Sequence, residues 1–244
     1  MSAASPAPPR VSVMIPVYNE EESLVTLHRE LDAALASVAG GAEIVFVDDG
    51  SKDRSLAVLR EIAEKDPRVR VVVLDGNHGQ TAAFAAGFDA VRGEITVTLD
   101  ADLQNDPADV PRLVARMDAE GADVVNGVRQ KRRDSWVRLV SSRIANNARN
   151  WVTNESVTDV GCSLRAMRTE YVKRVRLFRN MHRFLPTLLR MEGATKIVEM
   201  PVAHRERRYG VSKYGIGNRL WVGIVDLFGV RWMQARHFRV RLKD

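Results

Sequence analysis

Two carboxylates one residue apart close an apolar run: Asp100-Ala101-Asp102 follows directly on Ile95 to Leu99. Acids so spaced, just past a buried strand, can face one point. Hard oxygen ligands suit Mg²⁺ or Mn²⁺, which would also take oxygens from a diphosphate. The alternative is a helix-start cluster, since Asp106-Pro107 already supplies a cap and acids favour helix N-termini. Three more polar clusters close apolar runs: Pro16-Val17-Tyr18-Asn19-Glu20, Asp48-Asp49-Gly50-Ser51-Lys52-Asp53, and Asp75-Gly76-Asn77-His78-Gly79-Gln80. A carboxylate at Asp48 or Asp49 can accept hydrogen bonds from a base or ribose hydroxyls. The same residues also suit a turn in which Gly50 takes positive φ. No GxGxxG follows the first run, which disfavours a dinucleotide fold. His78 reads as a loop residue and Gly79 as a backbone turn.

The elements that must place these clusters follow from apolar periodicity. Val11 to Pro16, Glu43 to Val47, Val69 to Leu74, Ile95 to Leu99 and Asp123 to Asn126 read as strands. Glu21 to Val38, Ser55 to Glu64, Thr81 to Val91 and Pro107 to Glu120 read as helices between them. Strand-helix alternation predicts an α/β fold, a mostly parallel sheet with helices on both faces. Ligands then bind beyond the carboxyl ends of the strands, the edge on which the four polar clusters fall. So many carboxylates on one rim repel each other unless a cation or hydrogen-bond donors compensate.

The rear half is less regular. Trp136 to Val152, Met181 to Met191 and Ile216 to Val230 read as helices, Ser163 to Met167 and Ile197 to Val202 as strands. No interdomain linker stands out. The expected organisation is a loose tail over 1–10, a catalytic region over 11–215 and a basic amphipathic segment over 216–244. The Ser/Ala/Pro-rich lead has no apolar run behind a positive charge and does not read as a signal peptide.

The 244 residues are 45% hydrophobic and 28% charged, values of a globular chain rather than a disordered or collagen-like one. The single cysteine, Cys162, excludes an internal disulfide and reads as a small packed residue. The net charge of +6 hides an asymmetry: residues 1–128 carry 11 basic and 22 acidic side chains, residues 129–244 carry 26 and 9. A basic rear calls for an anionic partner. The acidic rim argues against nucleic acid, whose phosphates avoid carboxylates.

PVYNE, DDGSKD, NHGQ and DADLQ, in this order, resemble the inverting glycosyltransferases of family two, with a nucleotide-diphospho-sugar domain of the GT-A kind. NGVR at 126–129, DVGC at 159–162 followed by Arg165, and RRYGVSKY at 207–214 are similar to the polyprenyl-phosphate sugar transferases of that family. The resemblance covers roughly residues 11 to 230. It implies nucleoside binding by Pro16, Tyr18, Glu20 and Asp48, with Asp49 beside them. It implies a metal, Mg²⁺ or Mn²⁺, on Asp100 and Asp102, with Gln104 as their neighbour. It implies that Arg129 and Arg138 hold a lipid phosphate and that Arg207, Ser212 and Lys213 face the diphosphate or the acceptor. The donor would be a UDP- or GDP-sugar, and single displacement would invert the anomeric carbon.

The acceptor matters to the chemistry. A sugar hydroxyl needs a general base. A monophosphate, with a second pKa of about 6, is already mostly dianionic near neutrality and needs cations to position it. Arg129, Lys131, Arg132, Arg133, Arg138, Arg143 and Arg149 supply such cations; the alternative for most of them is a solvated helix face. Asp159, among these bases, is a candidate to orient the acceptor, assist the metal or pair with an arginine. The competing expectation is a family-two transferase acting on a saccharide hydroxyl.

No charge-free apolar stretch reaches the length of a spanning helix, and the best, Leu220 to Met233, is broken by Asp226 and Arg231. Many relatives continue into spanning helices. Here the expectation is peripheral contact with an anionic membrane surface, at its cytoplasmic face, through Trp221, Trp232 and the arginines around them. A core-packed terminal helix or a homo-oligomer contact is the alternative.

Overall fold

A computed structural model describes residues 8–130, 147, 149–206 and 219–238, with backbone alone for 219–222. One sheet of seven strands organises it: β1 (Val11–Val17), β2 (Ala42–Asp48), β3 (Val69–Val73), β4 (Ile95–Thr98), β5 (Val124–Arg129), β6 (Arg165–Arg168) and β7 (Ile197–Val202). Their order is β3-β2-β1-β4-β6-β5-β7. The helices are α1 (Glu21–Leu35), α2 (Ser55–Lys65), α3 (Gln80–Ala90), α4 (Asp109–Glu120), α5 (Thr169–Val172), α6 (Leu185–Met191) and α7 (Arg219–Arg236).

The strands read as continuous apolar runs because both faces of the sheet are covered. Successive side chains of β1 point to opposite faces. Val11, Val13, Ile15 and Val17 join Leu24, Leu27, Leu31 and Leu35 of α1 and Leu113 and Met117 of α4 in one core. Met14, between them, joins Val45, Val47, Phe84, Phe88, Leu185 and Leu189 on the other side. Burying each of the four α1 leucines contributes about 1.5–3 kcal/mol.

β1 to β4 are mutually parallel, as expected. The fifth expected strand forms but does not extend that ladder. β6 lies between β4 and β5 and runs antiparallel to both, with Thr98 opposite Arg165 and Asn126 opposite Arg165. β7 returns parallel to β5. A strand that runs backwards presents its first residue, Arg165, where its neighbours present their last. The expected helix over 181–191 is a 3-10 turn, Met181–Phe184, followed by α6, with Pro186 in its first turn, where a missing N–H costs no helical bond. Of the helix expected over 136–152, only its end lies among the described residues, where 149–153 are helical. Val230 of α7 packs on Met181, Phe184 and Leu188.

Candidate active site

The rim beyond β1 and β2 is one interlocked pair of loops. Asn19 takes φ 53°. Its N–H donates to Ser51 Oγ at 3.0 Å and its Oδ1 accepts from the Lys52 N–H at 2.7 Å. The Glu20 N–H donates to Ser55 Oγ at 2.9 Å, and Asp53 accepts from the N–H groups of Glu21 and Ser55. Pro16, Tyr18 and Glu20 are half-buried on this rim. The β1–β4 ladder ends at Met14 opposite Thr98, so Pro16 stands beyond it on that side.

Asp48 and Asp49 divide their labour. Asp48 is buried; its Oδ2 accepts from the Ser51 N–H at 3.3 Å, whereas its Oδ1 is buried with no hydrogen-bond partner. A buried carboxylate oxygen left this way is costly without a ligand. Asp49 is saturated by the loop before α3. Its Oδ1 accepts from the His78 N–H at 2.8 Å, and its Oδ2 from the Gly79 N–H at 2.9 Å and Asn77 Nδ2 at 3.2 Å. Gly50 sits at φ +66°, and a Cβ there would lie 2.5 Å from the Gly76 carbonyl carbon, so the turn requires glycine. His78 pairs with Asp75 on the surface, and Gly79 takes φ 91°, both as loop residues.

Beyond β4, Asp100 Oδ1 accepts from Gln80 Nε2 at 3.2 Å. Burial, with the charge of Asp102 beside it, pushes the Asp100 carboxyl up to about 6, against the lowering effect of Ser163, Arg165 and Arg129. Asp102 Oδ1 accepts from the Gln104 N–H at 3.1 Å across a tight turn. Leu103, in that turn, holds φ 61° while its side chain is buried in the core, so packing sustains a conformation that β-carbon sterics oppose. The helix-start role falls to another acid. Asp106 accepts from the Ala108 N–H at 3.0 Å just before α4 and pairs with Arg205 at 2.7 Å. Gln104 is half-buried, and its carbonyl accepts from the Arg205 N–H at 2.8 Å.

Among the described residues no group of three His, Cys, Asp or Glu side chains converges as a metal site. The chemistry of the donor set still fits a hard divalent ion: two acids whose charges oppose each other, needing only one or two carboxylates when a diphosphate supplies further oxygens.

The rear half meets this rim through β5 and β6. Arg129 closes β5, and Asp159 grips it: Nε donates to Oδ2 and Nη2 to Oδ1, each at 2.8 Å, with the Arg129 N–H also reaching Oδ2 at 3.2 Å. Of the three roles open to Asp159 from its sequence context, pairing with an arginine is seen in the structure. Arg149 is half-buried rather than on a solvated face. Its Nη2 donates to Asn150 Oδ1 at 2.8 Å, and burial, then Arg165, pushes its guanidinium down to about 10. Cys162 is packed and inert; burial raises its thiol to about 11. Arg138, Arg207, Ser212 and Lys213 lie outside the described residues.

Sequence reasoning assigned no role to three groups that touch this rim: Gln80 on Asp100, Ser163 on Asn105, and Arg165 beneath them. For Arg165 the signals were its place after DVGC and a charge inside an apolar strand pattern.

A doubly covered, mostly parallel sheet with an acid pair past β4 and a clamped arginine past β5 defines a glycosyltransferase of GT-A architecture. The family model described as glycosyl transferase family 2 matches residues 12–176, and the chain belongs to that family. It is 46% identical over 207 residues to an undecaprenyl-phosphate 4-deoxy-4-formamido-L-arabinose transferase of Edwardsiella ictaluri, covering 84% of this chain and 63% of that protein. The chain thus spans just under two thirds of that relative's length. Among solved structures, glucosyl-3-phosphoglycerate synthase from Mycobacterium tuberculosis, in complex with Mn²⁺, UDP and glucosyl-3-phosphoglycerate, aligns with TM-score 0.67 at 20% identity, covering 93% of this chain and 80% of that one. A mannosyltransferase from Pyrobaculum calidifontis, in complex with GDP-Man and Mn²⁺, aligns with TM-score 0.61 at 21% identity, covering 96% and 66%. At these identities the two structures share the fold.

Proposed function

We propose that the protein transfers a sugar from a UDP- or GDP-sugar to a polyprenyl phosphate, giving a polyprenyl-phosphate-linked monosaccharide. The observation that carries this reading is the Asp159–Arg129 clamp, in which a carboxylate fixes a guanidinium at the end of β5. A phosphate acceptor needs such a cation and no base. The name of the Edwardsiella relative agrees with it.

In this reading Pro16, Tyr18 and Glu20 line the nucleoside, and the unpartnered Oδ1 of Asp48 accepts a hydrogen bond from it. Asp49 serves the same site indirectly, by holding the 77–79 loop. Asp100 and Asp102 hold Mg²⁺ or Mn²⁺, with Gln104 fixing the turn that carries Asp102. The bound cation supplies Lewis-acid stabilisation of charge on the departing diphosphate. Arg129 and Arg138 hold the acceptor phosphate opposite the leaving group; Arg207, Ser212 and Lys213 add donors to the diphosphate or the acceptor. Attack by a phosphate oxygen on the anomeric carbon breaks the bond to the diphosphate and inverts that carbon.

An isoprenoid acceptor places the reaction at a bilayer. No helix of the described residues is long and apolar enough to cross one. Peripheral contact through α7 is the arrangement we propose, at the cytoplasmic face where nucleotide sugars are supplied. Val225, Phe228 and Trp232, spaced three and four apart on that helix, are 67%, 63% and 64% exposed.

The test is incubation with UDP- and GDP-sugars and short-chain polyprenyl phosphates, with Mg²⁺ or Mn²⁺, reading lipid-linked sugar by mass spectrometry. We expect product with one donor, lost on chelation and reduced at least a hundredfold in Asp102→Asn. Transfer to a saccharide hydroxyl and none to the lipid phosphate would overturn the reading.

A further inference from the structure

Arg165 is 3% exposed, yet it carries a charge next to the acids of the rim. Its Nη2 donates to two carbonyls, Val160 at 2.8 Å and Cys162 at 2.6 Å, while its Nε is buried with no hydrogen-bond partner. Burying a guanidinium costs several kcal/mol; the nearby Asp159 and Asp100 charges oppose that cost, yet burial still wins and the Nε–H stays orphaned. A strand core would be served as well by methionine. The arrangement calls for a purpose beyond packing.

The residues it grips belong to one short loop. That loop is tied to the rim along its length. The Asp159 carboxylate clamps Arg129, and the Asp159 carbonyl accepts from Asn126 Nδ2 at 3.1 Å. A Cβ on Gly161 would lie 2.8 Å from Arg129 Nη2, so the loop backbone also walls that guanidinium. Ser163 donates to Asn105 Oδ1 at 2.9 Å, and its carbonyl accepts from Thr98 Oγ1 at 2.5 Å at the end of β4. The 159–163 loop therefore holds the acceptor-side arginine at one end and ties to the end of β4 at the other, and Arg165 braces its inner side.

We propose that Arg165 is a positioning residue for phosphate-acceptor recognition: by holding the Val160 and Cys162 carbonyls it fixes the loop whose Asp159 aims Arg129. This rests on the reading proposed above. Arg165 does not touch the acceptor; it acts through Asp159 and Gly161.

The experiment measures two affinities by calorimetry, for farnesyl phosphate and for UDP or GDP with MnCl₂. Arg165→Met removes the charge at similar volume, and Gly161→Ala displaces Arg129 from the same loop without touching the buried charge. Either variant, if folded by circular dichroism, decides. We expect the farnesyl phosphate Kd to rise at least tenfold while the nucleotide Kd stays within threefold. Unchanged farnesyl phosphate binding, or equal loss of both ligands, overturns the proposal. Wild-type protein that binds nucleotide but no isoprenyl phosphate overturns the proposed function itself, and this inference with it.

Discussion

Asp159 and Arg129 meet through two parallel N–H···O bonds of 2.8 Å across a sequence gap of 30 residues, both side chains largely withdrawn from water. A bidentate pair of this kind fixes the plane of the guanidinium as well as its position. It joins the end of β5 to the loop before β6, the two elements that bring the rear half of the chain to the rim.

Asp159→Asn keeps the shape and removes the charge. We expect a loss of stability of about 1–3 kcal/mol and at least a tenfold fall in kcat/KM for the lipid acceptor, with the pH profile of kcat keeping its form. A general base would instead show its acidic limb disappear in the variant. Steady-state kinetics between pH 6 and 9 decide between them.

Asp48 and Asp49 are adjacent acids with opposite expectations. Asp49→Asn weakens acceptors for two backbone N–H groups and should lower stability by about 1–3 kcal/mol in urea unfolding. Asp48→Asn affects a side chain whose Oδ1 has no partner, so its stability should change by less than about 1 kcal/mol. Its nucleotide affinity should nonetheless fall at least tenfold by calorimetry. An Asp48→Asn protein that is strongly destabilised and binds nucleotide normally would reverse the assignment.

The outer face of α7 is testable separately from catalysis. Val225, Phe228 and Trp232 changed together to Ser should leave the unfolding midpoint within a few degrees, since Val230 on the inner face anchors the helix. Co-sedimentation with phosphatidylglycerol vesicles should fall at least tenfold, against a smaller effect of adding salt. Vesicle binding that survives all three changes would place the contact elsewhere.

His182 predicts how the fold responds to acid. Burial, then Arg183, pushes its imidazole down to about 3. Thr81 Oγ1 accepts from the Asn180 N–H at 2.9 Å and shares a hydrogen bond of 2.7 Å with His182 Nδ1, in a site whose burial favours the neutral ring. A group whose pKa is lower in the folded state contributes stability above its unfolded value of about 6.5 and loses it as pH falls towards the folded value. Between pH 6.5 and 4.5 the wild type should lose up to about 1.4 kcal/mol per pH unit more than His182→Asn. Urea midpoints measured across that window give the difference, and the acid groups shared by both proteins cancel. Parallel curves would refute it.

The front half was legible because its strands are apolar runs of four or more residues, each followed by a polar cluster that the fold has to expose. Asp100, Asp102, Asp48 and Glu20 could be put on one rim from that pattern alone. The cap that the sequence offered at Asp106-Pro107 is seen as the Ala108 N–H bond to Asp106 just before α4. The rear was less legible for physical reasons. β6 is four residues, Arg-Ala-Met-Arg, with charged ends, and its insertion between β4 and β5 follows from pairing distant in sequence. Asp159's partner lies 30 residues away, so the sequence left three roles open without showing the arginine pair that the structure shows. Asp49's three donors are two backbone N–H groups and the Asn77 amide, and backbone groups have no signature in a sequence.

The backward course of β6 has one more consequence. β5 delivers the chain to the rim at Arg129, and β6 takes it back from the rim at Arg165. The chain therefore leaves the sheet at the end of β5 and rejoins it at the start of β6 on the same edge. Arg129 and Arg165 are thus carried by adjacent strands, so a change that moves the end of one strand moves the start of the other.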